Sequence, residues 1–421
     1  MKSFRQDLLK TDVIPRKLND VSKKYRKLFL EDLESEKIKT EDVKKCQCGS
    51  SHLEQLTKID RFGLPFGSLI CRGCGLVITS PRICEESLPY YYDKYYHPLN
   101  YGREHLKNQT ALFADGQGIK IFNILRDYLP KKEKLKVLEV GAGTGNVLAE
   151  FRDEAKRYDI NIEELGTEYN NDCIIKAKKD NNINIIFGNI QTVVERAETF
   201  DVIILSHVFE HFINLTKELE NLKKLISKET LLYIGVPGIF DLSNNPTYNF
   251  DFIEYTIHAH MYNFNLNSLE RVLNHSHFRM LYGNECIDAI FKEDLCVKNL
   301  NRRDNYNDTI NYLNKLNDAS LFLFNGISKG ISNSNNILQQ NKDYGSRLLQ
   351  KIENRDKTLE KKDEFIKKQE LMIENRDKII NDISLIISKM EKFSVLQNPF
   401  NFLKKIQINI NKINKLVKYD E

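Results

Sequence analysis

Lys136-Val137-Leu138-Glu139-Val140-Gly141-Ala142-Gly143-Thr144-Gly145-Asn146 reads as a buried strand that runs into a glycine-rich turn and then a helix over 147–158. Glycine lacks the Cβ that would hold a ligand off, so such a turn lets main-chain N–H groups approach it closely. The spacing is G-x-G-x-G, and Asn146 stands where a dinucleotide-binding G-x-G-x-x-G has its third glycine. An acidic residue, Glu139, lies two positions before the first glycine.

Four further strands follow. Glu164-Leu165-Gly166-Thr167-Glu168-Tyr169-Asn170 places Glu168 at a strand's carboxyl end, where a carboxylate can accept hydrogen bonds from a ribose diol. Asn184-Ile185-Ile186-Phe187-Gly188-Asn189-Ile190 forms the third strand. Thr199 to Ser206 forms the fourth, with His207-Val208-Phe209-Glu210-His211 as its exit loop, and Leu231 to Gly238 supplies the fifth. Strand and helix alternate, which predicts an α/β, doubly wound, Rossmann-like parallel sheet with ligands at the strand carboxyl ends.

This ordered set resembles the class I S-adenosylmethionine-dependent methyltransferases. The resemblance implies that Glu139, Gly141, Gly143, Gly145, Glu168, Asn189 and Ser206 contact the donor. Asn189 stands where that family commonly carries Asp; it offers an acceptor to the adenine amino group and adds a donor, which predicts altered affinity.

Upstream, Cys46-Gln47-Cys48-Gly49 is followed after 22 residues by Cys71-Arg72-Gly73-Cys74-Gly75. Two such pairs can supply four thiolates to one tetrahedral Zn2+. The segment is too short for a core of its own, so the metal would contribute to its folding. Cys46 opens a C-x-C rather than a C-x-x-C knuckle, and His52 is a substitute ligand. Cys84, Cys173, Cys286 and Cys296 have no partner at ligand spacing.

Gly75-Leu76-Val77-Ile78-Thr79-Ser80-Pro81-Arg82 and the five tyrosines at 90–92 and 95–96 sharpen the resemblance. Residues 46–300 resemble sugar C-methyltransferases that act on nucleotide-linked deoxysugars, and related enzymes of glycan clusters, in which a zinc-binding module precedes the methyltransferase domain. The tyrosines read either as a stacking surface for a carbohydrate or nucleotide, or as a packed hinge.

Composition bounds the rest. The net charge is +4, and residues 1–45, with 13 Lys+Arg against 9 Asp+Glu, hold the whole excess. A near-neutral body argues against a nucleic-acid partner. No run reaches the apolar length of a membrane span, and the amino terminus has no apolar signal core. These features and the paired cysteines predict a cytoplasmic protein.

Seven segments result: a charged helical segment over 1–45, a zinc-binding module over 46–84, a Tyr-rich connector over 85–115, the methyltransferase domain over 116–300, a helical linker over 301–345, a long helix over 346–397 and a basic amphipathic helix over 398–421. In the long helix Ile352, Leu359, Ile366, Ile373 and Ile380 repeat every seven residues, while Arg355, Lys362, Gln369 and Arg376 hold the second core position. It reads as a coiled coil that forms a homo-oligomer, or as a single solvated helix. In the last helix Leu403, Ile406, Ile410, Ile413 and Val417 share a face flanked by lysines, fitting either peripheral contact with the inner membrane face or packing on protein.

Methyl transfer needs an aligned acceptor and, for a neutral hydroxyl or acidic C–H, a base. The loop after the fourth strand lacks the Asp/Asn-Pro-Pro-Tyr-type motif of amino-methyltransferases acting on nucleic-acid bases. Histidine suits proton abstraction near neutrality. His260, in His258-Ala259-His260-Met261-Tyr262, matches the histidine of a Glu-His pair in the sugar C-methyltransferases and is the expected base, with His207 and His211 as alternates. Ala259 stands where that pair has its glutamate, which leaves sugar O-methylation open. The expected substrate is a small-molecule sugar, nucleotide-linked or part of a glycan. The alternatives are a phenolic or lipid-linked acceptor, or a donor-binding scaffold without turnover.

Overall fold

The computed structural model describes residues 16–103, 116–248, 251–297 and 305–318, with single positions and short runs between 339 and 382. The chain divides into two compact units, Met1–Asp241 with Phe252–Tyr312, and Leu242–Asp251 with Leu313–Glu421. In the second unit, residues 367–371, 373–375, 377–378 and 381–382 are helical, and Leu371 and Ile373 are exposed. The rest of the heptad segment, and all of 398–421, lie outside the described residues.

The first unit opens with helix α1 (Asp20–Glu34), which Asn19 caps by accepting the Ser22 N–H at 2.9 Å. Strands β1 (Thr40–Glu41), β2 (Leu53–Thr57), β3 (Gly67–Cys71), β4 (Val77–Ser80) and β5 (Arg82–Ile83) follow. The connector is helical: α2 (Leu88–Tyr91), a π-helical turn over Tyr92–Tyr96, and α3 (His97–Tyr101). Tyr91 and Tyr95 are fully buried in a core with Phe29, Phe62 and Phe66, so these two pack inside rather than offer a stacking surface.

The sheet that follows alternates with helices, as the periodicity predicts. Its elements are α4 (Gln117–Leu125), β6 (Lys134–Val140), α5 (Asn146–Lys156), β7 (Asn161–Glu168), α6 (Asn171–Lys176), β8 (Ile185–Phe187), α7 (Ile190–Val194), β9 (Phe200–Ser206), α8 (Leu215–Lys223) and β10 (Ile226–Gly235). Then come α9 (Phe252–Tyr255), β11 (Tyr262–Asn263), α10 (Leu266–His275), β12 (Phe278–Gly283) and β13 (Asp288–Glu293). Seven strands lie in the order β12-β13-β10-β9-β6-β7-β8. β8, β7, β6, β9 and β10 are parallel, whereas β13 runs antiparallel to both its neighbours. Every residue of β9 is buried, the signature of a strand covered on both faces. Strand order reverses between β6 and β9, and the crevice at such a switch point is where ligands enter a doubly wound sheet.

Strand β11 lies outside this sheet. It pairs antiparallel with β4, Tyr262 opposite Ile78 and Asn263 opposite Val77, and completes a four-stranded sheet β11-β4-β3-β2. The Tyr262 hydroxyl accepts from Gln47 Nε2 at 2.5 Å and donates to the Ile213 carbonyl at 2.9 Å. The segment between β10 and β12 of the nucleotide-type sheet therefore supplies the edge strand of the cysteine-bearing sheet, a union that their separate sequence patterns do not announce.

Asp32 of α1 fastens the connector, accepting from Tyr95 Oη at 2.5 Å, Tyr90 Oη at 2.8 Å and Lys94 Nζ at 2.9 Å. Burial pushes its carboxyl up, but the bonds from Tyr95, Lys94 and Tyr90 outweigh it and hold the pKa down at about 2. A depressed carboxylate contributes stability above its unfolded value, and that contribution is lost as pH falls through the folded one. The thermal midpoint of the protein should therefore drop between about pH 4 and about pH 2. In Asp32→Asn it should be lower at neutral pH and flatter across that window; a wild-type-like acid profile in the variant would remove Asp32 from this role.

Candidate active site

The glycine turn has the backbone that its sequence requires. Gly141, Gly143 and Gly145 have φ of 69°, 54° and 72°, left-handed values that a side chain disfavours. A Cβ on Gly141 would lie 2.7 Å from Val208 Cγ2, so the turn abuts the loop after β9. A Cβ on Gly143 would meet nothing within 4 Å and would project into open space, the cradle a ligand fills.

Glu168 stands at the end of β7, as expected. Its Oε1 accepts from the N–H groups of Tyr169 at 2.8 Å and Asn170 at 2.9 Å, and its Oε2 from Gly143 at 3.0 Å. Three bonds orient the carboxylate and leave Oε2 with a lone pair for a ribose hydroxyl. Glu139 is 2% exposed, and its Oε2 has no hydrogen-bond partner. Burial, and then the charge of Glu168, push its carboxyl well above the usual range. An acid left so unsatisfied fits the positive charge that S-adenosylmethionine carries.

Ser206 ends β9, buried beside the crevice. Asn189 has a structural duty: it caps α7, its Oδ1 accepting the Thr192 N–H at 3.4 Å within a capping box. That bond uses one lone pair of the amide oxygen and leaves the other for a further donor. Two residues the sequence reading passed over flank this place. Tyr169 and Phe187 are exposed and meet edge to face at 5.8 Å, an apolar wall suited to a planar base. Their signal was present, since each lies at the carboxyl end of a strand.

Next to this crevice the exit loop of β9 and the segment before β11 bring three histidines around one acid. Glu210 is 1% exposed; its Oε1 lies 3.7 Å from His207 Nδ1, 4.0 Å from His211 Nε2 and 3.9 Å from His260 Nε2. His207 has a left-handed backbone, φ 56°, and its N–H donates to the Gly235 carbonyl at 2.8 Å. The segment carrying His260 is held from two sides. The Glu210 carbonyl accepts the Met261 N–H at 2.8 Å, while Thr79 of β4 donates its hydroxyl to the His260 carbonyl at 2.6 Å. Burial lowers the basicity of His211; burial and then the neighbouring His211 and Arg61 lower that of His260 well below the imidazole norm. Tyr92 and Tyr96 of the connector wall the cluster, their rings 6.4 and 6.2 Å from that of His211. His258 is elsewhere, buried among Phe29, Phe62 and Phe66 and bonded to Asp60 Oδ2 at 2.6 Å and Tyr91 Oη at 2.8 Å.

Residues 118–282 match a family described as a methyltransferase domain. A methyltransferase domain thus occupies this stretch of the chain, which supports S-adenosylmethionine-dependent methyl transfer. Among solved structures, the methyltransferase shares 19% identity with the plantazolicin methyltransferase BpumL in complex with SAH, over 48% of this chain and 75% of that one, at a TM-score of 0.33. A SAM-dependent methyltransferase from Archaeoglobus fulgidus shares 21% over 40% and 73%, at 0.29. A TehB-like SAM-dependent methyltransferase from Corynebacterium glutamicum shares 14% over 50% and 100%, at 0.31. Likenesses of this size add nothing to the assignment. No curated protein matches the chain.

Outside the methyltransferase crevice, the four expected cysteines converge. Cys46 and Cys74 have Sγ atoms 3.4 Å apart, Cys48 and Cys71 3.6 Å apart, and all four lie within 4.8 Å of one another. Thiolates 2.3 Å from a tetrahedral zinc are about 3.8 Å apart, so the donor set fits that ion. The Gly73 N–H donates to Cys71 Sγ at 3.3 Å, the kind of bond that favours a thiolate. The departure at Cys46 from C-x-x-C spacing leaves it within the tetrad, and a substitute ligand at His52 is not needed.

Glu168→Gln should weaken S-adenosylhomocysteine binding about 10- to 100-fold, the usual effect of losing charge-assisted hydrogen bonds. Titration calorimetry reads the change directly, and an unchanged affinity would place the ribose elsewhere.

Proposed function

We propose that this methyltransferase acts on a sugar, nucleotide-linked or within a glycan, at a hydroxyl or an acidic carbon, during surface-polysaccharide assembly in the cytoplasm. The observation that carries the reading is the histidine cluster around Glu210, set beside the donor crevice and walled by Tyr92 and Tyr96. A sugar presents C–H faces to aromatic rings and hydroxyls to polar groups, and this cluster offers both.

S-adenosylmethionine supplies the methyl group as a sulfonium. The chain's own residues then do three things. Glu139, the glycine turn and Glu168 hold the donor, Tyr92 and Tyr96 exclude water from the acceptor, and an imidazole takes the acceptor's proton. His207 fits this last role better than the expected His260. Its side chain is 37% exposed against 14% for His260, and its ring reaches the open side of the cluster. His211 has its Nδ1 engaged by the Ala259 carbonyl at 2.8 Å and serves to position its neighbours. We assign Zn2+ to the cysteine tetrad as a structural ion: the tetrad anchors β3 and β4, and β4 holds the His260 segment. Self-association through 346–397 and contact of 398–421 with an anionic membrane are proposals that rest on the sequence alone.

A donor-consumption assay against a panel of nucleotide sugars tests the reading. The wild type should release S-adenosylhomocysteine with at least one of them. His207→Ala should lower the rate by roughly 10²–10⁴, the usual worth of a general base. Release triggered only by phenolic or lipid fractions would overturn the sugar assignment, and loss confined to His260→Ala would return the proton to His260.

A further inference from the structure

Both carboxylate oxygens of Glu210, whose side chain is 1% exposed, are buried without a hydrogen-bond partner. A buried, unpaired carboxylate costs several kcal/mol, so proteins neutralise it with a counter-charge or a bonded proton. None of the surrounding imidazoles hydrogen-bonds it. Their nitrogens stand 3.7–4.0 Å from Oε1, beyond hydrogen-bonding range.

The tautomer of His211 sharpens the point. Its Nδ1 lies 2.8 Å from the Ala259 carbonyl, and a carbonyl only accepts, so Nδ1 carries the proton. In the neutral ring Nε2 then presents a lone pair to a carboxylate that also presents lone pairs. Two electron-pair donors facing each other at 4.0 Å attract only something positive between them. A ring N–H donated to a main-chain carbonyl is also how metal-binding histidines are oriented.

We propose that Glu210, His211 and His260 form a binding site for a divalent first-row transition cation, separate from the cysteine tetrad. One ligand atom from each of the three lies within 4.8 Å of the others. The carboxylate oxygen stands 4.0 and 3.9 Å from the two imidazole nitrogens, about half an ångström wider than the edge of a tetrahedral site with bonds of roughly 2.0–2.1 Å, a gap that small side-chain rotations close. Two imidazoles and a carboxylate select Zn2+, Mn2+, Fe2+, Co2+ or Ni2+ over Ca2+ and Mg2+. His207, its Nδ1 3.7 Å from the Glu210 carboxylate and its side chain 37% exposed, borders the site. The site gives the buried Glu210 carboxylate a partner. It holds whichever acceptor the enzyme methylates.

The test is metal stoichiometry in the full-length protein. Equilibrium dialysis of purified protein against Co2+, with total metal measured by emission spectrometry, should give two ions per chain. The thiolate-bound ion shows sulfur-to-metal charge-transfer absorption when it is Co2+; the second shows only weak d–d bands. Glu210→Gln and His260→Gln should each lower affinity at the second site by about 100-fold or more, since even outer-shell partners are worth 10–100-fold. The thiolate ion and S-adenosylhomocysteine binding, measured on the same samples, should stay at wild-type values. One ion per wild-type chain, all of it thiolate-bound, overturns the proposal without touching the sugar assignment. So does a second ion retained at wild-type affinity by both variants. The wild-type stoichiometry decides the matter even where a variant fails to fold.

Discussion

Two antiparallel residue pairs, Tyr262 with Ile78 and Asn263 with Val77, hold this molecule's chemistry in place. They join the segment between β10 and β12 of the nucleotide-type sheet to the edge of the cysteine-bearing sheet. The His260 segment just before that strand is consequently gripped by Thr79 on one side and by the Glu210 main chain on the other. A histidine loop on its own would sample many conformations. Here each main-chain bond removes some of that freedom before any ligand arrives, the preorganisation a reacting group requires.

The tetrad of cysteines gains a meaning from this arrangement. Cys71 ends β3 and Cys74 lies in the turn that leads to β4, the strand that bonds to His260 and Met261. An ion there would stiffen one wall of the active site although it lies outside the donor crevice. Tyr262 extends the link, since its hydroxyl joins Gln47 of the first knuckle to Ile213 beyond the β9 loop. The cysteine tetrad and the histidine segment are thus mechanically connected through a few hydrogen bonds.

What could be read from the sequence was local. The glycine turn, Glu168 at a strand end and the cysteine spacing each fit within a few residues, and the structure places all of them where a ligand or ion could use them. What escaped was long-range. Glu210 was visible only as the residue between two histidines, because its burial depends on β11 arriving from some fifty residues downstream. β11 itself is two residues long, too short for any alternation to mark it. Asn189 was read for its amide, whereas the fold uses its side-chain oxygen to start α7. The tyrosine run divides by facing: Tyr91 and Tyr95 enter the core, while Tyr92 and Tyr96 turn toward His211, a split that composition cannot show.

The pairing of β11 with β4 also governs how the protein can be taken apart. A fragment ending before residue 116 would leave the free edge of β4 with unpaired amides and carbonyls, an open template for intermolecular pairing. A fragment beginning there would keep Tyr262 and Asn263 with no sheet to join. Neither piece is a self-contained cassette, so grafting one onto a foreign partner requires carrying the complementary edge along with it.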